Sequence, residues 1–274
     1  MTSVTSRRLN PRESIFDWNN HASLALQKGS YDEAAFIYTQ ILARLRAQAM
    51  ANAGVAHRTR NRVKLRASAS ASASTRSSRR NGSAVASTDQ LSLTLLSVPA
   101  NSSHKPASAP DGPSGLSGAG ALNHFAIYDQ AFTTIFRRPE QAQDLNSRRL
   151  IAAFAYYNLG LCLHYKEFAN KTYKLTELGA AQRSYLKALK ILAAYRDPGQ
   201  TENLLQLVLA LYNNLGHLYV HLSDFQQSAC CHRRIQHLLA LPRLPTVLPM
   251  NVRDWNFFQH SLAHFPTAAI SPAA

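Results

Sequence analysis

The chain has 274 residues, 46% of them hydrophobic and only 16% charged, and it carries a formal net charge of +15. The apolar fraction supports a packed core, and the length suits one domain or two small ones. No run of about 18 apolar residues occurs, so no membrane-spanning helix is expected, and three cysteines, two of them adjacent, argue against a disulfide framework.

In chain order, residues 1–12 read as a flexible N-terminus without the apolar core of a secretory signal, which points to an intracellular protein, cytoplasmic or nuclear. Residues 13–51 form a first helical hairpin. Phe16 to Leu45 is helical in period and is broken at Gly29-Ser30, where Ser30-Tyr31-Asp32-Glu33 has the spacing of a capping box. Residues 52–120 are rich in Ser, Ala and Pro and poor in aromatics, and read as a disordered insertion. Its start holds most of the basic excess: Arg58, Arg60, Arg62, Lys64, Arg66, Arg76, Arg79 and Arg80 fall between Ala51 and Val85 with no acid among them. The exception is Leu91 to Val98, LSLTLLSV, which can form a short helix or strand or serve as a docking peptide.

Residues 121–146 read as an irregular connector. Within it, Ala126 to Phe132 has the size pattern of a single helix, while the following Thr133-Thr134-Ile135-Phe136 favours extended chain, and both readings stay open. Residues 147–242 carry two further hairpins, with helices expected over Ser147 to Lys166, Thr176 to Tyr195 and Thr201 to Leu222. A last helix follows a second capping box, Ser223-Asp224-Phe225-Gln226, and ends near Pro242. Residues 243–274 form a C-terminal extension. Nowhere does period-2 alternation persist, so no sheet is expected.

Two stretches nearly repeat: Tyr156-Tyr157-Asn158-Leu159-Gly160 and Tyr212-Asn213-Asn214-Leu215-Gly216. Each precedes a turn and a second helix, and the pattern resembles the tetratricopeptide repeat, a helical hairpin of about 34 residues. Trp18, Ala22, Tyr31 and Ala34 fit the first unit. Tyr156, Leu159 and Gly160 with Ala181, Tyr185 and Ala188 fit the second. Tyr212, Leu215, Gly216 and Tyr219 with Phe225 and Ser228 fit the third. In the first unit His21 stands where Leu is usual. In the second, Gly160 to Ala181 is longer than Gly216 to Ser228, which marks Phe168 to Thr176 as an insertion in the hairpin turn.

The resemblance implies an all-α stack of three hairpins, an α-solenoid with a long insertion, whose concave groove takes a peptide or protein. Carried over by spacing, the groove residues are Asn20, Ser23 and Gln27; Asn158, Leu161 and Tyr165; and Asn213, Asn214, His217 and His221. Some relatives bind chaperone C-termini through a Lys/Arg/Asn carboxylate clamp. Here Asn19, Ala210 and Asn214 hold the basic positions, so no such clamp is expected. Asn214 and His221 are not packing sites in this scheme, and replacing both by Ala is expected to spare the fold.

No catalytic constellation or cofactor motif is found. His217 and His221 are one turn apart, but Leu218 replaces the Glu of a zincin and no third ligand is evident. Cys230 and Cys231 point about 100° apart on a helix, so the cluster with His232 and His237 does not make a metal site. The chain therefore reads as a non-enzymatic adaptor or scaffold for an unidentified protein or peptide. The alternative is a nucleic-acid-associated regulator acting through residues 52–85, a stretch that lacks aromatics for base stacking.

Overall fold

The computed structural model describes residues 14–70, 96–99, 126–133, 145–194, 201–241 and 250–263. These are mainly helical: α1 (Ile15–Gln27), α2 (Tyr31–Ser70), α3 (Leu145–Asn170), α4 (Leu175–Ala193), α5 (Thr201–His221), α6 (Phe225–Leu239) and α7 (Val252–Ala263). Strands β1 (Leu96–Pro99) and β2 (Gln130–Thr133) pair antiparallel, with Leu96 opposite Thr133 and Pro99 opposite Gln130. Each helix packs on its neighbour in sequence, and α7 closes over α5 and α6.

The helix ends follow from local chemistry. Ser14 caps α1: its hydroxyl accepts the Asp17 N–H at 3.2 Å, and the Asp17 carboxylate accepts the Ser14 N–H at 3.0 Å. At its far end Gly29 takes φ +74°, its N–H donates to Leu26 and the Ser30 N–H reaches back to Ala25, the paired bonds of a Schellman motif. The same two bonds close α3 about Lys171 (φ 52°) and α5 about Ser223 (φ 58°). Ser223 is therefore spent ending α5, and Asp224, not Ser223, caps α6 by accepting the Gln227 N–H at 3.1 Å. At the expected box on Ser30, the Ser30 carbonyl accepts the Ala34 N–H, and the Glu33 carboxylate lies 3.5 Å from His21.

These turns locate the insertion. Ala22 to Gly29 and Gly216 to Ser223 are seven positions each, whereas Gly160 to Lys171 is eleven. Four of the extra residues thus lengthen α3 by about one helical turn. Two more widen the turn before α4 and the remaining three lengthen the start of α4. In that turn Tyr173 also holds a left-handed φ of 46° and the buried Glu167 carboxylate receives the Thr172 hydroxyl and the Lys174 N–H, both at 2.7 Å.

At the close crossings, Ala22, Ala34, Ala181, Ala188 and Ser228 are buried, and the Ser228 hydroxyl donates to the Gly216 carbonyl at 2.8 Å. A Cβ on Gly160 would sit 2.7 Å from the Tyr185 ring. Overpacking of that kind costs about 1–3 kcal/mol, so Gly160→Leu is expected to lower the thermal midpoint clearly, as read by circular dichroism melting; an unchanged midpoint would contradict the crossing. Trp18, Leu215, Tyr219 and Tyr185 are buried, Tyr31, Tyr156, Leu159 and Tyr212 are half-buried, but Phe225, expected in the packing set, is exposed on the first turn of α6.

Two further expectations change. The helix expected to end near Leu45 continues through Ser70, so the insertion does not begin as disordered chain at residue 52. Ala-rich sequence has high helix propensity, and adding residues to a helix already nucleated by packing costs little. Ile37, Tyr38, Ile41, Leu42 and Leu45 anchor that nucleus, after which α2 leaves the core and Met50 is exposed. The strands are the second change. Both are four residues long, and all four positions of β2 are buried, so no alternation exists to be read. Residues 71–95, 100–125 and 134–144 of the insertion and connector, with Arg76, Arg79 and Arg80, lie outside the described residues, as do 1–13, 242–249 and 264–274.

Candidate polypeptide-binding surface

An asparagine side chain ends in a carboxamide, a copy of a peptide group with one acceptor oxygen and a donor NH₂. It can therefore pair with the N–H and C=O of one residue of an extended chain, as a neighbouring strand would. The twin motifs use Asn in this way. Asn158 on α3 accepts the Phe132 N–H at 3.0 Å and donates to the Phe132 carbonyl at 2.8 Å. Asn214 on α5 accepts the Tyr128 N–H at 2.8 Å and donates to the Tyr128 carbonyl at 3.1 Å. The two motifs thus hold residues four apart on one extended segment, 126–133, that crosses both helices.

The neighbouring residue of the third motif extends the grip. Asn213 donates to the Ala126 carbonyl at 3.0 Å and accepts the Ser261 hydroxyl of α7. The other edge of β2 is covered by β1. Phe132 turns both backbone groups to Asn158, as alternation allows for a residue between ladder bonds, so neither edge of this short pair leaves Phe132 unsatisfied.

The segment's side chains complete the seat. Tyr128 and Phe132 are both fully buried. Tyr128 stacks on Phe258 with centroids 4.9 Å apart, and Phe132 meets Tyr157 edge-on at 4.9 Å. The Tyr128 hydroxyl receives Gln206 at 2.7 Å, and Gln206 also donates to Asp254. Tyr157 donates to the Tyr128 carbonyl at 3.2 Å. Burial pushes the phenols of Tyr128, Tyr157 and Tyr185 up, so they stay protonated and available as donors.

The expected groove residues separate into three groups. Asn158, Asn213 and Asn214 meet on the segment. Ser23 and Leu161 are buried within the helix packing instead, Ser23 through a 2.9 Å hydrogen bond to Tyr38 across the first hairpin. Asn20 is exposed and Gln27 half-buried, while the neighbouring Asn19 is buried with no partner for its Oδ1 among the described residues. Tyr165 is half-buried and stacks on Tyr31 at 6.0 Å, joining the first and second hairpins. The expectation that Asn214 can be removed without harm to the fold is therefore incorrect: it is fully buried and bonded to Tyr128, Tyr157 and Tyr185. Sequence reading missed Tyr128, Phe132, Gln206 and Ser261. The aromatics four apart in Ala126 to Phe132 were the visible signal.

His217 and His221 belong to a different cluster. His164 Nε2 lies 3.1 Å from His217 Nδ1, and its Nδ1 lies 3.3 Å from the Tyr185 hydroxyl. The inserted turn walls it: Phe168 meets His217 and His221, and Tyr173 stacks on His221 at 5.7 Å. No group of three or more potential metal ligands is found among the described residues. Of the cysteines, Cys162 and Cys231 are buried, and burial pushes the Cys231 thiol up to about 12, which leaves it unreactive.

Burial lowers His164 well below the ordinary histidine value and His217 to about 3, and lowers His221 as well. The rings are neutral in the fold, whereas the unfolded chain takes up protons near pH 6.5. Stability is therefore full above about pH 6.5 and falls as the pH drops toward 3, by about 1.4 kcal/mol per pH unit for each proton the fold excludes. Urea denaturation at pH 7 and pH 5 should show this loss, and His217→Gln should flatten it; equal slopes in both proteins would contradict the assignment.

No protein-family model matches the chain, no curated protein matches it, and no solved structure matches it. No described helix is long and apolar enough to cross a membrane.

Proposed function

We propose that α1–α2, α3–α4 and α5–α6 are tetratricopeptide-like hairpins stacked side by side, and that the protein is a non-enzymatic interaction adaptor holding extended polypeptide across its helices. One observation carries this reading: Asn158 and Asn214, at the same place in two copies of one motif, each take both backbone groups of a residue in an extended segment. Such recognition reads main chain and leaves selectivity to the pockets for alternate side chains. The occupant here is the chain's own segment 126–133, so a partner peptide competes with it and carries large aromatics four residues apart. The shared turn geometry at Gly29, Lys171 and Ser223 supports three equivalent hairpins.

The second reading, a nucleic-acid-associated regulator, gains from α2 continuing through Arg58, Arg60, Arg62, Lys64 and Arg66, which strings these cations along one helix. Affinity capture with cross-linking mass spectrometry separates the two. The adaptor reading expects partners that survive nuclease and high salt, that persist when those five cations are replaced by Gln, and that cross-link to α3 and α5. Loss of all partners on nuclease treatment, or in the Gln variant, would shift the assignment to nucleic acid.

A further inference from the structure

Tyr156 opens the second motif, and about one-third of a helical turn from Tyr157 it faces away from the held segment. There it lines a pocket of about 430 Å³ with Arg46 from α2, Arg149 from α3 and Lys187, Lys190 and Ile191 from α4. The volume falls in the range of small-molecule sites. It is an open depression whose rim carries four exposed basic residues from three helices, and no acidic residue lines it. Two of them already hold the aromatic ring: Arg46 donates to the Tyr156 hydroxyl and lies 5.9 Å from the ring centre, and the Lys187 ammonium lies 5.4 Å from it. The ion pairs resolved among the described residues lie elsewhere, at His21–Glu33 and Asp32–Lys166.

We propose that this pocket binds a small polyanion bearing several phosphate groups and no nucleobase. Like charges gathered around one cavity repel one another, and a multivalent anion removes that repulsion while accepting charge-assisted hydrogen bonds from the guanidinium and ammonium groups. Arg46 and Arg149 supply planar forks suited to phosphate oxygens, and Lys187 and Lys190 supply mobile point charges. The ring of Tyr156 is taken up by cations, which leaves it a poor platform for base stacking and disfavours a nucleotide or single-stranded nucleic acid. The site is independent of the groove: Tyr156 and Asn158 serve opposite sides of α3.

The test uses the full chain with myo-inositol hexakisphosphate as probe, and ATP, inorganic phosphate and a single-stranded RNA oligonucleotide as comparisons, by titration calorimetry and thermal unfolding. The hexakisphosphate is expected to bind one to one and to raise the midpoint, more tightly than ATP or inorganic phosphate. Lys187→Gln with Lys190→Gln should weaken it about a hundredfold, since each lost charge-assisted bond is worth about a factor of ten. Without ligand, the double variant should unfold at the same temperature as the wild type or higher, because repulsion is relieved. Arg149→Gln, on a different helix, should give a parallel loss and guards against a local folding defect in α4. Replacing Arg58, Arg60, Arg62 and Lys64 by Gln should leave binding unchanged. Binding that follows the α2 cations instead of the pocket, tighter binding of the oligonucleotide, or equal affinity for inorganic phosphate would overturn the proposal.

Discussion

Asn214→Ala is expected to cost about 2–4 kcal/mol of stability, because a buried donor or acceptor left unmade costs about 1–3 kcal/mol and more than one group is affected. The Tyr128 N–H loses its 2.8 Å acceptor. The Tyr128 carbonyl keeps the Tyr157 hydroxyl at 3.2 Å, so it is not stranded. Tyr157 and Tyr185, however, lose the donor that Asn214 supplies to their hydroxyls at 3.3 and 3.5 Å. Asn214→Asp, nearly identical in shape, puts a buried carboxylate oxygen against the Tyr128 carbonyl where a donor stood, and should be at least as damaging at neutral pH. A chemical-denaturation series over wild type, Ala and Asp checks this. If Asp is tolerated while Ala is not, the site depends on packing and the hydrogen-bond account fails.

Phe132→Ala should cost about 3–5 kcal/mol, the usual range for a fully buried Phe truncated to Ala. Its ring is buried among Phe154, Tyr157 and Tyr128, with centroids 6.1, 4.9 and 6.2 Å away. The same residue gives its backbone groups to Asn158, so Phe132→Ala and Asn158→Ala act on one seat and should not add. The double variant is expected to lose clearly less than the sum of the singles, because either change alone frees the segment. Full additivity would mean that backbone grip and ring burial are independent, contrary to a segment that docks as a unit.

Most of the helical order was legible in the sequence. Period and stop signals placed α3, α4 and α5 within a few residues of Leu145–Asn170, Leu175–Ala193 and Thr201–His221. The small residues at Gly160 and Gly216 marked close crossings because only size decides there. What the sequence could not supply was the occupant of the asparagines. Spacing along a helix tells which side chains share a face, yet Asn214 meets Tyr128 across 86 positions of chain and Asn158 meets Phe132 across 26. The same limit explains His217. Two imidazoles one turn apart read as groove lining, but His217 packs against His164 inside the helix stack, and the longer α3 and the Tyr173 turn bring Phe168 and Tyr173 over the pair. Asn20 shows how little separates the outcomes: one residue along a helix is a rotation of about 100°, and it is Asn19 that is buried.

Amide hydrogen exchange resolved to single residues across 126–133 tests the central claim most directly, since exchange of a buried, bonded amide requires local opening. Strong protection is predicted for the Tyr128 and Phe132 amides in the wild type, with Asn214→Ala releasing Tyr128 first and Asn158→Ala releasing Phe132 first, while the amides of α3 and α5 stay protected. Fast exchange of Tyr128 and Phe132 in the wild type, or protection there that neither substitution alters, would contradict a segment held by the paired asparagines.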